Sequence, residues 1–402
     1  MSNNLRRELG LFQVTVAGVG VILGAGVYAL LGLASATAGN AIWLSFLIGA
    51  IVAILTGLSY AELSSMFKGD AGEYDYIKSA IGKRFAFWMA ISIIAGTIIS
   101  SAAVALGFAR YFTSLVPGNI VFVAVIIILF MGLINFIGIK QTSRFTIFST
   151  FVEFLGLIIV IVLGFANIGK VNYLEMPQGL GGVFSAAALV FFAYLGFEGI
   201  VKFREETKNP EKTIPKGMIY AILISSVVYI LVAISAVSVV GWKELSMSNA
   251  PMALVASTVL GGYAFTLLAV IALFSTSNTV LLTMVAASRQ IYGMAKEHSL
   301  PFSLSSVNAK TQTPFIAIFI TTIIAVLFAI LGDINLVANL TNMFLFLTFA
   351  AVNLSLIVLR YKCKDQHRGF ICPGNVGQFS IIALLGFLSS IAMLIFVLIN
   401  LF

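Results

Sequence analysis

The sequence predicts an all-α integral membrane protein of eleven transmembrane helices, with a cytoplasmic N-terminus and a five-plus-five inverted repeat. Three observations predict it. Of the 402 residues, 60% are hydrophobic and 9% charged, whereas soluble domains carry about 25% charged residues. Apolar runs recur at the length of about 20 residues that crosses hydrocarbon as a helix. Two of those runs, the first and the sixth, are interrupted by glycines.

The spans fall at 11–35, 41–66, 85–113, 119–138, 143–167, 181–204, 216–240, 263–294, 314–332, 334–358 and 376–402. With the N-terminus inside, twenty Lys and Arg lie on the inner side; Arg110, Lys170 and Lys243 lie outside. Cytoplasmic loops carry such an excess. The bias tests the span count, because one missed or invented helix would invert every later loop. Eleven spans put the C-terminus outside. The net charge of +8 is thus an orientation signal, and no nucleic-acid partner is implied. Arg6 and Arg7 before an apolar run imitate a signal peptide, but the run exceeds an h-region of about 7–15 residues, and cleavage is not expected. The longest hydrophilic stretches, 67–84, 202–216, 295–313 and 360–375, all fall inside and hold no soluble domain. Residues 1–402 form a single membrane domain. Cys363 and Cys372 share one inner loop with His367. Three ligands fall short of the usual four for a metal, so free thiols are expected.

Within the first span, Gly18–Gly32 reads GVGVILGAGVYALLG. Each glycine inside a helix costs about 1 kcal/mol relative to alanine. Unwound backbone is tolerated in a bilayer only where it is buried in protein or lines a cavity. Gly24-Ala25-Gly26 therefore marks a ligand site at mid-membrane, the alternative being close helix packing through small residues. The sixth span repeats the pattern at 191–199, FFAYLGFEG, with Glu198 between Gly196 and Gly199. Breaks at corresponding places in two halves point to inverted repeats around a midplane site. The first repeat is then 11–167, the second 181–358, and 376–402 is an addition.

These residues bring out a resemblance. Gly20-Val21-Ile22-Leu23-Gly24-Ala25-Gly26-Val27-Tyr28 resembles the first-helix motif of the amino acid–polyamine–organocation superfamily, in its amino acid permease branch. Ser59-Tyr60-Ala61-Glu62-Leu63 with Gly72-Glu73-Tyr74 resembles the end of its second helix and the loop beyond. Phe192-Ala193-Tyr194, then Glu205-Glu206-Thr207-Lys208-Asn209-Pro210 and Pro215, resembles its sixth helix and following loop. Arg289 to Ala295 with Leu300-Pro301 and Thr313-Pro314 resembles its eighth, and Arg368-Gly369-Phe370 with Pro373-Gly374 the loop before its eleventh. Singly each match is weak; in order over residues 18–374 they are specific. The family usually has twelve helices, so the expectation is that this chain lacks the last.

The resemblance implies a LeuT-like fold with discontinuous helices 1 and 6, and a secondary active amino acid transporter in the cell membrane. A free amino acid is a zwitterion. Exposed N–H groups at a helix break suit its carboxylate, and exposed carbonyls suit its ammonium. By the family pattern the Ala25 and Gly26 amides bind the carboxylate, and the Ile22, Phe192 and Leu195 carbonyls bind the ammonium. Gly24, Ala193, Tyr194 and Gly196 complete the two breaks. Ala25 stands where relatives often have serine. Phe192 holds the place of a gating aromatic, with simple packing as the alternative.

Glu153 and Glu198 lie deep in spans, where a carboxylate must be partnered, protonated or functional. Glu198 could sense pH, compensate a cationic substrate, or anchor a neighbouring helix. Glu153 departs from the family, where many relatives carry a lysine thought to replace a sodium ion between helices 1, 5 and 8. Its negative charge could attract sodium, carry a proton or pair with a base. Ser275, Thr276, Ser277 and Asn278 could ligate a cation, bond Glu153 or glue helices together. Thr97, Ser100 and Ser101 share a face that lines the pocket or bonds between helices. The same two readings hold for Asn335, Asn339 and Asn342 near an outer vestibule. Glu62 and the charged loop 67–84 belong to cytoplasmic structure or gating rather than to the ligand.

The expected function is amino acid transport by alternating access, helices 1, 2, 6 and 7 rocking against a scaffold. Proton coupling leads, with sodium symport or exchange as alternatives. A non-transporting receptor or sensor on the same fold is the second class; no appended signalling domain supports it. An enzyme is not expected, since no metal cluster, nucleophile–base pair or phosphate loop stands out. No cofactor is implied beyond a coupling H+ or Na+. The expected partners are the bilayer and a small-molecule amino acid, neutral first and cationic second, with no obligatory protein partner.

Overall fold

A computed structural model describes residues 7–67 and 72–401, without the side chains of 139–144, 147 and 205. Arg6, Lys68, Lys140 and Arg144 of the charge bias, and Glu205 of the permease-like motif, therefore lie outside the described residues. The chain is almost wholly helical. In order run α1 (Leu11–Ile22), α2 (Gly26–Ala38), α3 (Ile42–Met66), α4 (Glu73–Ala80), α5 (Lys83–Leu115), α6 (Ile120–Ile137), α7 (Ile139–Phe165) and α8 (Gly179–Val190). Two 3-10 segments follow, Phe191–Tyr194 and Phe197–Glu206. Then come α9 (Pro210–Val240), α10 (Trp242–Met247), α11 (Pro251–Leu260), α12 (Gly262–Lys296), α13 (Phe315–Ala329) and α14 (Ile334–Lys362). A two-residue hairpin, β1 (Asn375–Val376) with β2 (Phe379–Ser380), precedes α15 (Ile381–Leu401).

Local signals account for four of the helix starts. Pro210 and Pro251 open α9 and α11, where proline's missing N–H costs nothing. The Asn119 and Asp333 side chains cap α6 and α14, accepting from Phe122 N at 3.1 Å and Asn335 N at 2.8 Å.

Among the described residues nine helical stretches are long and apolar enough to cross a membrane, where hydropathy predicts eleven. The difference has two sources. The break at Leu23–Ala25 leaves α1 only 12 residues, while α2 and α3 run on across a short turn as one stretch, Gly26–Met66. α13 has 15 residues, short of a full span. Two further expectations are corrected. Residues 376–380 form the hairpin rather than the start of the last helix, and the outer segment 241–262 contains α10 and α11. Elements this short escape a hydropathy window of span length.

The helices pack in two groups. α9 packs on α1, α3 and the second 3-10 segment, while α5 packs on α12, α13 and α14; α3 also meets α14, and α7 meets both α9 and α12. At the predicted inner end a buried ionic cluster joins the groups. Glu62 of α3 is fully buried and pairs with Arg360 of α14 and, at 3.4 Å, with Arg368. The Cys372 N–H donates to the same carboxylate at 2.8 Å. Its thiol donates to the Leu58 carbonyl, and burial, then the Glu62 charge, pushes that thiol well above the usual range. Glu62 thus holds a buried ionic cluster and does not line the cavity at the helix breaks.

Candidate functional site

The first break is made by three residues. The Leu23 N–H still bonds the Val19 carbonyl, but the Gly24 N–H turns back on Ile22 at 2.6 Å. The Ala25 N–H therefore loses its helical acceptor, and it donates instead to Thr279 Oγ1 of α12 at 3.1 Å. At the second break the chain tightens to 3-10 geometry over Phe191–Tyr194 and swings through Gly196 at φ +112°, a conformation side-chain-bearing residues avoid. The Gly196 N–H is taken by Glu198 Oε2 at 2.9 Å, two residues on.

The two breaks touch. A Cβ on Gly26 would lie 2.5 Å from Cα of Ala193, so the absence of a side chain at Gly26 sets how closely they approach. The Tyr229 hydroxyl of α9 is shared between the Ile22 carbonyl at 2.7 Å and the Ala193 carbonyl at 2.8 Å. Ile22 therefore accepts two hydrogen bonds, from Tyr229 and from Gly24.

A cavity of about 200 Å³ lies against both breaks. Of the expected site residues it brings together Ile22, Gly24, Ala25, Gly26, Thr97, Glu153, Phe192, Ala193, Leu195, Gly196, Glu198 and Asn278. Four expected residues do not line it. The Tyr194 hydroxyl points away and donates to the Phe46 carbonyl of α3 at 2.8 Å. Thr276 and Ser277 bond back to Ala272 and Phe274 of their own helix, because their side chains fall on the wrong face of α12. Ser275 sits behind the cavity wall and donates to Glu153 Oε1 at 2.7 Å. Glu153 is thereby partnered, and its backbone carbonyl accepts from Tyr28 at 2.9 Å.

Ser100 lines the cavity beside Thr97, whereas Ser101 bonds back to Ile98. Asn342 donates to the Ala188 and Leu189 carbonyls and so braces the second break. That is the interhelical alternative, and neither it nor Asn339 or Asn335 reaches the cavity.

Sequence reasoning missed Thr279, Thr283, Gln290, Tyr60, Glu73 and Lys202 in the lining, and Tyr229 behind it. A signal existed for α12: Thr279 and Thr283 follow Ser275 at steps of four, one face of a helix. Tyr229, one of two tyrosines in α9, carried none.

The chain matches the family described as amino acid permease over residues 9–402. It belongs to that family. The permease is 29% identical to the branched-chain amino acid permease BcaP of Bacillus subtilis, over 92% of this chain and 84% of the relative. It is 30% identical to the methylthioribose transporter of the same organism, over 92% and 85%. To cationic amino acid transporter 1 of Arabidopsis thaliana it is 27% identical, over 90% of this chain and 64% of that one. The permease is therefore a multi-pass integral membrane protein, a transporter and not an enzyme.

Proposed function

We propose that this permease is a secondary active amino acid transporter that works by alternating access around the two breaks. The observation that carries the reading is their meeting at one cavity, with Ala25 and Gly26 on one side and Phe192, Leu195 and Gly196 on the other. Amides at the first break and the start of α2 take the substrate carboxylate. Carbonyls at the second take the ammonium, and the Ile22 carbonyl joins them once Tyr229 releases it. Phe192 gates the outer path.

The proposed topology is eleven crossings in one domain, 1–402, with repeats 11–167 and 181–358 and the added helix 376–402, in a LeuT-like arrangement. Under it, every helical residue lining the cavity lies at the middle or in the inner half of its span. Ile93 to Ser100 on α5, Asn278 to Gln290 on α12 and Tyr60 on α3 all follow this rule. The cavity therefore faces the cytoplasm. The packing of α9 on α1 and α3, and of α5 on α12 and α14, with a smaller α3–α14 contact between them, supports rocking of one group on the other.

Two of the named relatives carry amino acids by name and one carries methylthioribose. The side-chain pocket, not the family, therefore sets the substrate. Its lining near the breaks includes Thr97, Ser100, Leu282, Leu345, Thr348 and Phe349. These suit a small or medium neutral amino acid first; Glu198 and Glu73 make a cationic one second. Proton coupling through Glu153 or Glu198 is the leading mode, ahead of sodium symport and exchange. Uptake into proteoliposomes under separate proton and sodium gradients decides among them. The Glu153→Gln variant is expected to lose its dependence on the coupling ion while still binding substrate. Unchanged ion dependence would remove Glu153 from the coupling. Binding without flux would favour the sensor reading.

A further inference from the structure

A broken helix exposes polar backbone that something must satisfy. At the first break the Ala25 N–H is satisfied by Thr279, 254 residues away. The Thr279 hydroxyl spends its single proton on the Ser275 carbonyl at 3.1 Å, one turn back in α12. Toward Ala25 it acts only as an acceptor, since a hydroxyl has one proton and two lone pairs. It also lies directly against the unwound backbone, where a Cβ on Gly24 would meet Thr279 Oγ1 at 3.3 Å. Thr279 thus places a neutral oxygen on the amide that, on the functional reading above, receives a carboxylate oxygen. The two partners belong to different packing groups. Ala25 lies between α1, which packs chiefly on α9, and α2, which packs chiefly on α8 and α10, while Thr279 is on α12, which packs chiefly on α5.

We propose that Thr279 is a latch, a positioning residue that holds the first break to α12 while the site is empty and is displaced by the substrate carboxylate. The proposal rests on the assignment of the Ala25 amide to the carboxylate. A charged acceptor forms a stronger bond to N–H than a neutral one, so the exchange runs forward on loading. Displacement removes one tie between the two groups. The loaded carrier then reorients faster than the empty one, and exchange outruns net transport.

The test uses full-length protein in proteoliposomes. The probe is the common amino acid that most raises the melting temperature of the purified protein, together with its methyl ester. Thr279→Val keeps the shape and removes the acceptor; Thr279→Ser keeps the acceptor. Thr279→Val is expected to bind the amino acid about fivefold more tightly and to raise net efflux relative to exchange by about fivefold, the worth of one neutral hydrogen bond. Thr279→Ser is expected to behave as the parent. Weaker binding by Thr279→Val would make Thr279 a substrate ligand and overturn the latch. So would an unchanged ratio of net efflux to exchange in both Thr279→Val and Thr279→Ala. The ester separates the two readings. If the parent binds ester and amino acid equally, the carboxylate assignment fails. If it rejects the ester and the ratio is unmoved, only the latch fails.

Discussion

The two helix breaks solve the same problem in opposite ways. At the second, the Gly196 amide is satisfied by Glu198 two residues on, so the turn itself is closed locally, although Asn342 of α14 braces the Ala188 and Leu189 carbonyls just before it. At the first, the Ala25 amide is satisfied by Thr279 on a distant helix, so the turn is complete only while α12 stays beside it. A locally closed break is a rigid part, and a break closed across a packing boundary is a joint. Tyr229 bridges the two, with one hydroxyl shared by a carbonyl from each.

The contrast is most sharply broken at its glycines. Gly196→Ala combines a φ of +112° with a Cβ 2.7 Å from Val21 Cγ1 and 2.8 Å from the Val21 carbonyl. Strain of about 1–3 kcal/mol adds to overpacking of similar size. Transport is expected to vanish and the melting temperature to drop. Gly26→Ala, driven against the Ala193 backbone, is expected to follow with a smaller loss. Gly199→Ala meets nothing within 4 Å and serves as the control, with stability within about 0.5 kcal/mol of the parent. A silent Gly196→Ala would mean that the second break needs no left-handed residue.

Tyr229→Phe removes the bridge, leaving the Ile22 carbonyl with only the Gly24 N–H and the Ala193 carbonyl without its Tyr229 donor. The expected cost is about 1–3 kcal/mol without substrate, seen as a lower melting temperature. Saturating amino acid is expected to restore most of it, because the ammonium supplies the missing donor. No rescue by substrate would place the ammonium away from Ile22 and Ala193.

The smallest effect tests whether the second break is self-contained. Glu198→Gln keeps an oxygen for the Gly196 N–H and is expected to cost under about 1 kcal/mol, while Glu198→Ala leaves that amide unpaired at about 1–2 kcal/mol. Equal losses of stability in both would mean that the charge, not the hydrogen bond, holds the turn.

Much of this was legible along the chain. Hydropathy located the long helices, and glycine at 24, 26 and 196 located both breaks. The lining by Thr97, Glu153, Phe192 and Glu198 followed from depth in a span and proximity to a break. What failed was side-chain direction. Tyr194 lies inside a break yet reaches α3. Thr276 and Ser277 precede the cavity-facing positions of α12, which begin at Asn278, and their hydroxyls return to their own backbone. One step along a helix turns a side chain by about 100°, so a run of four polar residues cannot all face one cavity.

The sequence alone determined the membrane class and the two places where helices yield. Each is a property of local composition, set by the cost of charge or glycine in a lipid-embedded helix. Only the tertiary structure decided which groups satisfy the broken backbone. Thr279 lies 254 positions from Ala25 and Tyr229 lies 207 from Ile22. Such partners meet through the rotation and packing of whole helices, and no local pattern records that.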